Sequence, residues 1–417
     1  MGKVLAPPYD VISAAQQKAL YDSDEHNVVR LILGYEYETD TQTDNRYTRS
    51  AGVLGEWLKT GVLSREPLPA IYLYAQDYQM EGRAFRRVGF ICRRLVEPLG
   101  QSVHRHERTL SGPKLDRLKL TRACRANFSP IFGLYADPEK KLDAVWAEII
   151  KSKKPDVYSK DDEGVTHQMW VVTDQPVIAQ VQQHLQNKNV VIADGHHRYE
   201  TALNYKNERR EAEKPEGPAE YDYVLMYLSN SRGEGFTVLA THRLVKGVDG
   251  KAVKVFQERM AESFDVKTHR FDPADPAPFM AALKTAGATA PSFGVIAPGG
   301  VSSVITLKKD KYLAEGTGGL SDVLRLLDVS VLQELVFERM LGITKEAVAD
   351  KTVIGYTISP KDAADSVAKG ETKLAFLMNP ANVNVVMDVA VKGGVMPQKS
   401  TYFYPKLISG LVFNPLS

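Results

Sequence analysis

Residues 190–200 read Val-Val-Ile-Ala-Asp-Gly-His-His-Arg-Tyr-Glu, and this stretch restricts the fold more than any other part of the chain. Four apolar, mostly β-branched residues predict a buried strand. Tyr199, Ala202 and Leu203, sharing one face, predict a helix directly after Gly195. A strand that passes into a helix through a single glycine sets Asp194, His196, His197 and Arg198 at a helix amino terminus. The unpaired N–H groups and the positive end of the dipole favour an anion there, and Gly195 lets it come close to the backbone. Two imidazoles, a guanidinium and a carboxylate around one anion position point to phosphate chemistry.

The flanking pattern makes this turn the middle of an α/β core. Strands are predicted at 130–135, 167–172 and 190–194, alternating with helices at 138–150 and 177–185. Strands resume at 224–228 and 236–244, after the Pro215-Glu216-Gly217-Pro218 loop. Upstream, a strand is predicted over 27–34 and a helix over 47–58, stopped by Gly61. Two apolar runs, 69–78 and 83–95, read as a hairpin turning at Glu81-Gly82. Downstream, two helices and two strands are expected between 251 and 309, then a helix over 323–341 and strands at 353–357, 373–377 and 407–413. The fold class is mixed α+β: a central mixed sheet with flanking helices and additional α+β segments. The expected divisions are an amino-terminal segment 1–105, the α/β core 106–248, an insertion or second domain 249–320, and a carboxy-terminal segment 321–417 completing the core.

Charge and cysteine content exclude several classes. Lys and Arg number 53 against 51 Asp and Glu, a balance that argues against a general nucleic-acid binder. No apolar run is long enough to span a membrane and the amino terminus lacks a signal-peptide core, so the expectation is a cytoplasmic protein with no membrane partner. Cys92 and Cys124 belong to no metal-ligand spacing and predict packed thiols.

A second constellation lies between 104 and 129. His106, Glu107 and Thr109 sit in His-Arg-His-Glu-Arg-Thr, where Glu107 is suited to be a base or a metal ligand. Lys114 and Arg117 open a run of five basic residues that a solvated helix would also explain. Asn127 and Ser129 precede a strand and can donate to an anion. Further on, His242 and Arg243 end a strand-like run, and an ordered polar loop with Lys399, Ser400 and Lys406 is of the kind that closes over phosphate. No P-loop or dinucleotide fingerprint occurs.

Taken together these segments resemble the domain of unknown function 1015 family. The matching pieces are Ala-Pro-Pro-Tyr-Asp-Val-Ile at 6–12, Val-Arg-Leu at 29–31, His-Glu-Arg-Thr at 106–109, Lys114 with Asp116-Arg117, and Ala-Asn-Phe-Ser-Pro-Ile-Phe at 126–132. They continue with Ala-Asp-Gly-His-His-Arg-Tyr-Glu-Thr-Ala at 193–202, Thr-His-Arg at 241–243 and Met-Pro-Gln-Lys-Ser-Thr-Tyr-Phe-Tyr-Pro-Lys at 396–406. The resemblance also implies a segment ahead of the 6–12 motif, and hence a first strand missing here. More distantly, the Asp-Gly-His-His-Arg turn looks like the phosphate-binding turn of the ParB and sulfiredoxin superfamily, which includes free-serine kinases. Histidine stands where sulfiredoxins carry cysteine, which disfavours sulfinic-acid repair.

Three activities follow as expectations. The leading one is phosphoryl transfer to or from a small hydroxyl metabolite, serine being the guess that the likeness to serine kinases implies, with ATP or ADP and Mg²⁺ as cofactors. In it Gly195 and Arg198 grip phosphate, His196 or His197 stabilises charge or protonates a leaving oxygen, Asp194 orients a histidine or binds metal, and Glu107 accepts the hydroxyl proton. Arg117, Lys114, Lys399 and Lys406 neutralise the transferred group. The second is a metal-dependent phosphatase, with Asp194 and Glu107 as candidate ligands. The third is a nucleotide-binding regulator.

Overall fold

The computed structural model describes residues 2–107, 111–314, 322–349 and 352–417. Its first elements are helical. Ser13 and Gln16 form a capping box on Ala14–Ser23 (α1), Val29–Ile32 (α2) is a single turn, and Asn45 caps Arg46–Lys59 (α3). The strand expected at 27–34 is therefore a helical turn. The Asn27 side-chain oxygen accepts the Val29 N–H and starts the turn, and Val28, Leu31 and Ile32 bury against Trp57 and Leu120.

The predicted hairpin is present as Ile71–Met80 (β1) and Arg83–Leu95 (β2), joined through Glu81 and Gly82, both at positive φ. The chain continues through Val103–Arg105 (β3), Ser111–Cys124 (α4), Ala126–Asn127 (β4), Ile131–Tyr135 (β5), Lys141–Ser152 (α5), Val157–Lys160 (β6), Thr166–Val172 (β7), Gln175–Leu185 (α6), Val190–Asp194 (β8), His196–Glu213 (α7) and Tyr223–Asn230 (β9). One mixed sheet runs in the order β3-β8-β5-β9-β2-β1-β7-β6, with β3·β8 and β5·β9 parallel and the other neighbours antiparallel. It draws strands from both the 1–105 and 106–248 segments. These residues, up to Thr237, form one unit together with Phe403–Ser417, and Val238–Tyr402 form the other.

The two faces of this sheet differ in chemistry. One carries Leu73, Phe90, Ile131, Val190, Ile192 and Met226, sealed by Trp146 of α5, Val181 of α6 and Tyr199 of α7. The other carries Tyr74, Gln76, Arg87, Phe132 and Tyr227, with Gln76 opposite Arg87, Tyr74 opposite Gly89 and Phe132 opposite Tyr227. A bulge decides on which face Asp194 falls. Gly133 pairs with Ile192, but Phe132 pairs with Asp194, so Ala193 is an extra residue. Strict alternation would turn Asp194 into the hydrocarbon face with Val190 and Ile192; the extra residue aligns it with Phe132 on the polar face.

In the second unit, His242–Val245 (β10), Phe264–Thr268 (β11), Ser292–Ala297 (β12), Val301–Leu307 (β13), Ile354–Thr357 (β14) and Leu374–Leu377 (β15) form an antiparallel sheet ordered β11-β13-β12-β15-β10-β14. Apolar clusters lie on both faces, one around Phe293 and Phe376, the other around Ile296 and Leu377. The run expected as one strand over 236–244 breaks into Thr237–Leu239 and β10. The helix expected over 323–341 is divided into Asp322–Arg325, Asp328–Val331 and a π-helical stretch Leu332–Met340.

The run 407–413 is not the expected strand. Ser409 makes an isolated antiparallel bridge to Ala6, Gly410 turns the chain at φ 107°, and strand pairing resumes at Asn414–Pro415, which adds to β4. No helix among the described residues is long and apolar enough to cross a membrane.

Candidate functional site

The turn between β8 and α7 has the geometry its sequence demands. Gly195 lies at φ 92°, and a Cβ there would stand 3.0 Å from the Arg198 guanidinium. Gly195, at the N-cap of α7, has no side chain to cap the helix, which begins beside Asp194. Asp194 is held from both sides: Arg198 Nη2 donates to Oδ2 at 2.9 Å and Lys406 Nζ to Oδ1 at 2.9 Å. Arg198 also donates to the Pro130 carbonyl. Burial pushes the Asp194 carboxyl upward, but the Lys406 and Arg198 cations outweigh it and hold the group well below the usual carboxylate range.

Beside this ion cluster stand two imidazoles. The His106 and His196 rings meet edge to face with centroids 4.7 Å apart. His106 is fully buried and its Nδ1 lies 2.7 Å from the Ile192 carbonyl. That bond assigns the Nδ1 proton, leaving the Nε2 lone pair on the neutral ring. His196 is half-buried, and its Nε2 has no hydrogen-bond partner among the described residues. Burial, then the neighbouring His106, drives the His196 pKa well down, against the pull of Asp194. Both rings are neutral near pH 7.

Burial pushes His106 down to about 4, against the Ile192 carbonyl and Asp194, which pull the other way. An unfolded histidine titrates near 6.5, so between these values the unfolded chain binds a proton that the folded chain refuses. Stability should therefore fall as pH drops from about 6.5 to about 4, His106 alone contributing on the order of 3 kcal/mol. Urea melts across this window should show a shallower pH slope in His106→Gln. An unchanged slope would mean that His106 is already charged when folded.

Lys406 is placed by contacts that pattern reading did not detect. Arg87, fully buried, donates to the Gln76 side-chain oxygen and to the Tyr404 and Pro405 carbonyls, and its guanidinium lies 4.7 Å from the Phe132 ring centroid. Gln76 donates to the Lys406 carbonyl at 2.9 Å. The segment 403–406 is thus fastened by its backbone while its lysine reaches Asp194. Tyr74, His167 and Asp161 form a further polar chain on this face, with contacts of 2.6 and 3.0 Å.

The remaining expected residues are distributed as follows. Glu107 follows His106 directly and is half-buried, and His197 is the second residue of α7. Lys114 donates to Glu200 of α7 at 2.8 Å. Thr109 lies outside the described residues. Arg117 is engaged by Asp116 and the Ile32 carbonyl and lies over the Tyr9 ring. The Asn127 side-chain oxygen accepts from the Leu225 N–H and from Asn414, and the Ser129 hydroxyl is 2.6 Å from that of Ser409. In the second unit, buried His242 accepts the Met378 N–H through Nδ1, Arg243 donates to the Thr241 and Lys399 carbonyls, and Ser400 donates to the Pro397 carbonyl. Lys399 sits at φ 56°. Cys92 and Cys124 are unpaired thiols, each pushed up to about 12 by burial.

Among the described residues, no three His, Cys, Asp or Glu side chains are gathered to hold a metal ion. Both Asp194 oxygens already accept from cations, so a metal ion there would meet the positive charges of Lys406 and Arg198.

No curated protein matches the chain. Solved structures similar to it include a conserved hypothetical protein from Pyrococcus furiosus, 15% identical over 76% of this chain and 92% of that one, with a TM-score of 0.37. A free serine kinase in complex with AMP is 15% identical over 76% and 86% of the two chains, with a TM-score of 0.37. SbnI with a C-terminal truncation, from Staphylococcus aureus, is 12% identical over 78% and 87%, with a TM-score of 0.36. Likenesses this distant carry over no reaction. The family model described as a protein of unknown function, DUF1015, matches residues 1–330, and the chain belongs to that family.

Proposed function

We propose that the first unit binds a phosphorylated small molecule at the Asp194–Arg198 turn and transfers phosphoryl groups to or from a hydroxyl metabolite. The observation that carries this reading is the ion cluster of Asp194, Arg198 and Lys406 at an uncapped helix amino terminus, with the neutral His106–His196 pair beside it. Phosphoryl transfer needs positioning and charge neutralisation more than covalent chemistry. Lys406, Arg198 and the first amides of α7 supply donors for the phosphate oxygens. Asp194 positions both cations between turnovers.

His196 is the group whose state a ligand would change. An anion within a few ångströms favours imidazolium, so phosphate would draw a proton onto the orphaned Nε2 and turn the ring into a donor to the leaving oxygen. Glu107 is the proposed acceptor of the hydroxyl proton. A nucleotide donor and free serine follow from the resemblance of this turn to those of free-serine kinases. Mg²⁺ would enter on the donor's phosphates and neutralise charge there.

The test is ³¹P NMR of the protein with ATP or ADP, Mg²⁺ and serine, alongside phosphoserine alone. Phosphoserine should form, and His196→Ala should slow it by about 10²–10⁴-fold. Release of phosphate from phosphoserine without nucleotide would favour hydrolysis instead. Neither nucleotide binding nor turnover with any divalent ion would overturn the reading.

A further inference from the structure

On the opposite face of the first unit's sheet, under α5, lies a cavity of about 440 Å³. That volume is within the roughly 300–1,000 Å³ of small-molecule sites. α5 lines it with Asp143, Trp146, Ala147 and Ile150, whose spacing places them on one helical stripe. The stripe is polar at the start of the helix and apolar beyond. Val88 of β2 and Phe236 complete the apolar part.

Arg86, Lys140, Asp143, Lys151 and Glu234 supply the charged part of the lining, and Asp143 and Lys140 differ in standing. The Asp143 carboxylate is half-buried and accepts from the Asn230 amide at 3.1 Å, and among the described residues no cation lies within ion-pairing distance of it. Burial raises its pKa, Asn230 and Lys140 notwithstanding. Lys140, at the head of α5 with φ 53°, has its ammonium 3.5 Å from exposed Glu234. An exposed pair of this kind is worth little and exchanges readily. One end of the cavity thus offers an under-compensated carboxylate and a loosely held ammonium, the other aromatic and aliphatic carbon.

We infer that this cavity binds a free α-amino acid with an apolar side chain. The ligand's ammonium pairs with Asp143, its carboxylate with Lys140, and its side chain lies against Trp146 and Ile150. A simple amine would leave Lys140 facing only Glu234, and a simple acid would leave Asp143 uncompensated, so the zwitterion is the species both charges select. A basic side chain would have to place its charge against Trp146, Ile150 and Val88 on walls that already carry Arg86 and Lys151. None of the residues that line this cavity belongs to the Asp194 turn, so the inference does not depend on the phosphate reading.

Calorimetric titration of the full chain with phenylalanine and leucine, and with phenethylamine and phenylpropionate, tests it. Saturable binding of one of the amino acids is expected, at least tenfold tighter than of either single-charge analogue or of lysine. Asp143→Asn should weaken it at least tenfold. Ala147→Trp, which fills the cavity from an exposed helix position, should abolish it with the circular dichroism spectrum unchanged; if that variant does not fold, the nearly isosteric Asp143→Asn decides alone. His196→Ala should bind as the wild type does. Absence of binding to any apolar amino acid, binding unchanged in Asp143→Asn, or loss confined to His196→Ala would each overturn the inference.

Discussion

Arg87→Met is expected to lower the unfolding free energy of the first unit by about 3–5 kcal/mol, the range for breaking a buried charged network by removing one member. The substitution keeps an unbranched side chain over Phe132 but removes the donors to Gln76, Tyr404 and Pro405. Acceptors left buried without a donor cost about 1–3 kcal/mol each, partly offset because the arginine no longer has to be desolvated. Urea denaturation gives the loss, and limited proteolysis should cut the 403–417 segment faster than in the wild type. A change below about 1 kcal/mol, with no new cleavage, would show that this segment is held by other contacts.

Lys406→Met is expected to reduce phosphate affinity and turnover by about 100-fold, nearly 3 kcal/mol. Two effects combine. The phosphate loses an ammonium, and Asp194, keeping Arg198 alone, becomes a less compensated anion facing an incoming anion. A double-mutant cycle with Asp194→Asn separates them. If Asp194 serves to position the lysine, the two substitutions should couple by about 1–3 kcal/mol in stability, and the double variant should bind phosphate better than Lys406→Met alone. Additive stabilities, or full affinity in Lys406→Met, would remove Lys406 from the site.

The Asp194–Arg198 turn was legible because its signals are local: a β-branched run, one glycine, and a helical period starting at once. Lys406 was legible only as a cation in an ordered polar loop. What delivers it was not, because Arg87 sits in the Arg86-Arg87 pair, and which of two adjacent arginines faces inward depends on the register with neighbouring strands. The bulge at Ala193 is of the same kind, since an extra residue exists only relative to a partner strand. Arg117, Asn127 and Ser129 have the side-chain types of an anion site, yet their partners Ile32, Asn414 and Ser409 are distant in sequence and invisible to spacing. For the same reason the apolar run 407–413 read as a strand: alternation reports burial, and here the buried run makes an isolated bridge to distant Ala6 rather than a strand ladder.

The contact between Lys406 and Asp194 spans 212 residues. At ribosomal rates of about 5–20 residues per second, on the order of 10–40 s pass after Asp194 is made before its second cation exists. A nascent chain in that interval already has the residues of the β8–α7 turn and lacks Lys406. Any affinity for phosphate that depends on Lys406 is therefore acquired only after every residue of the second unit has been made.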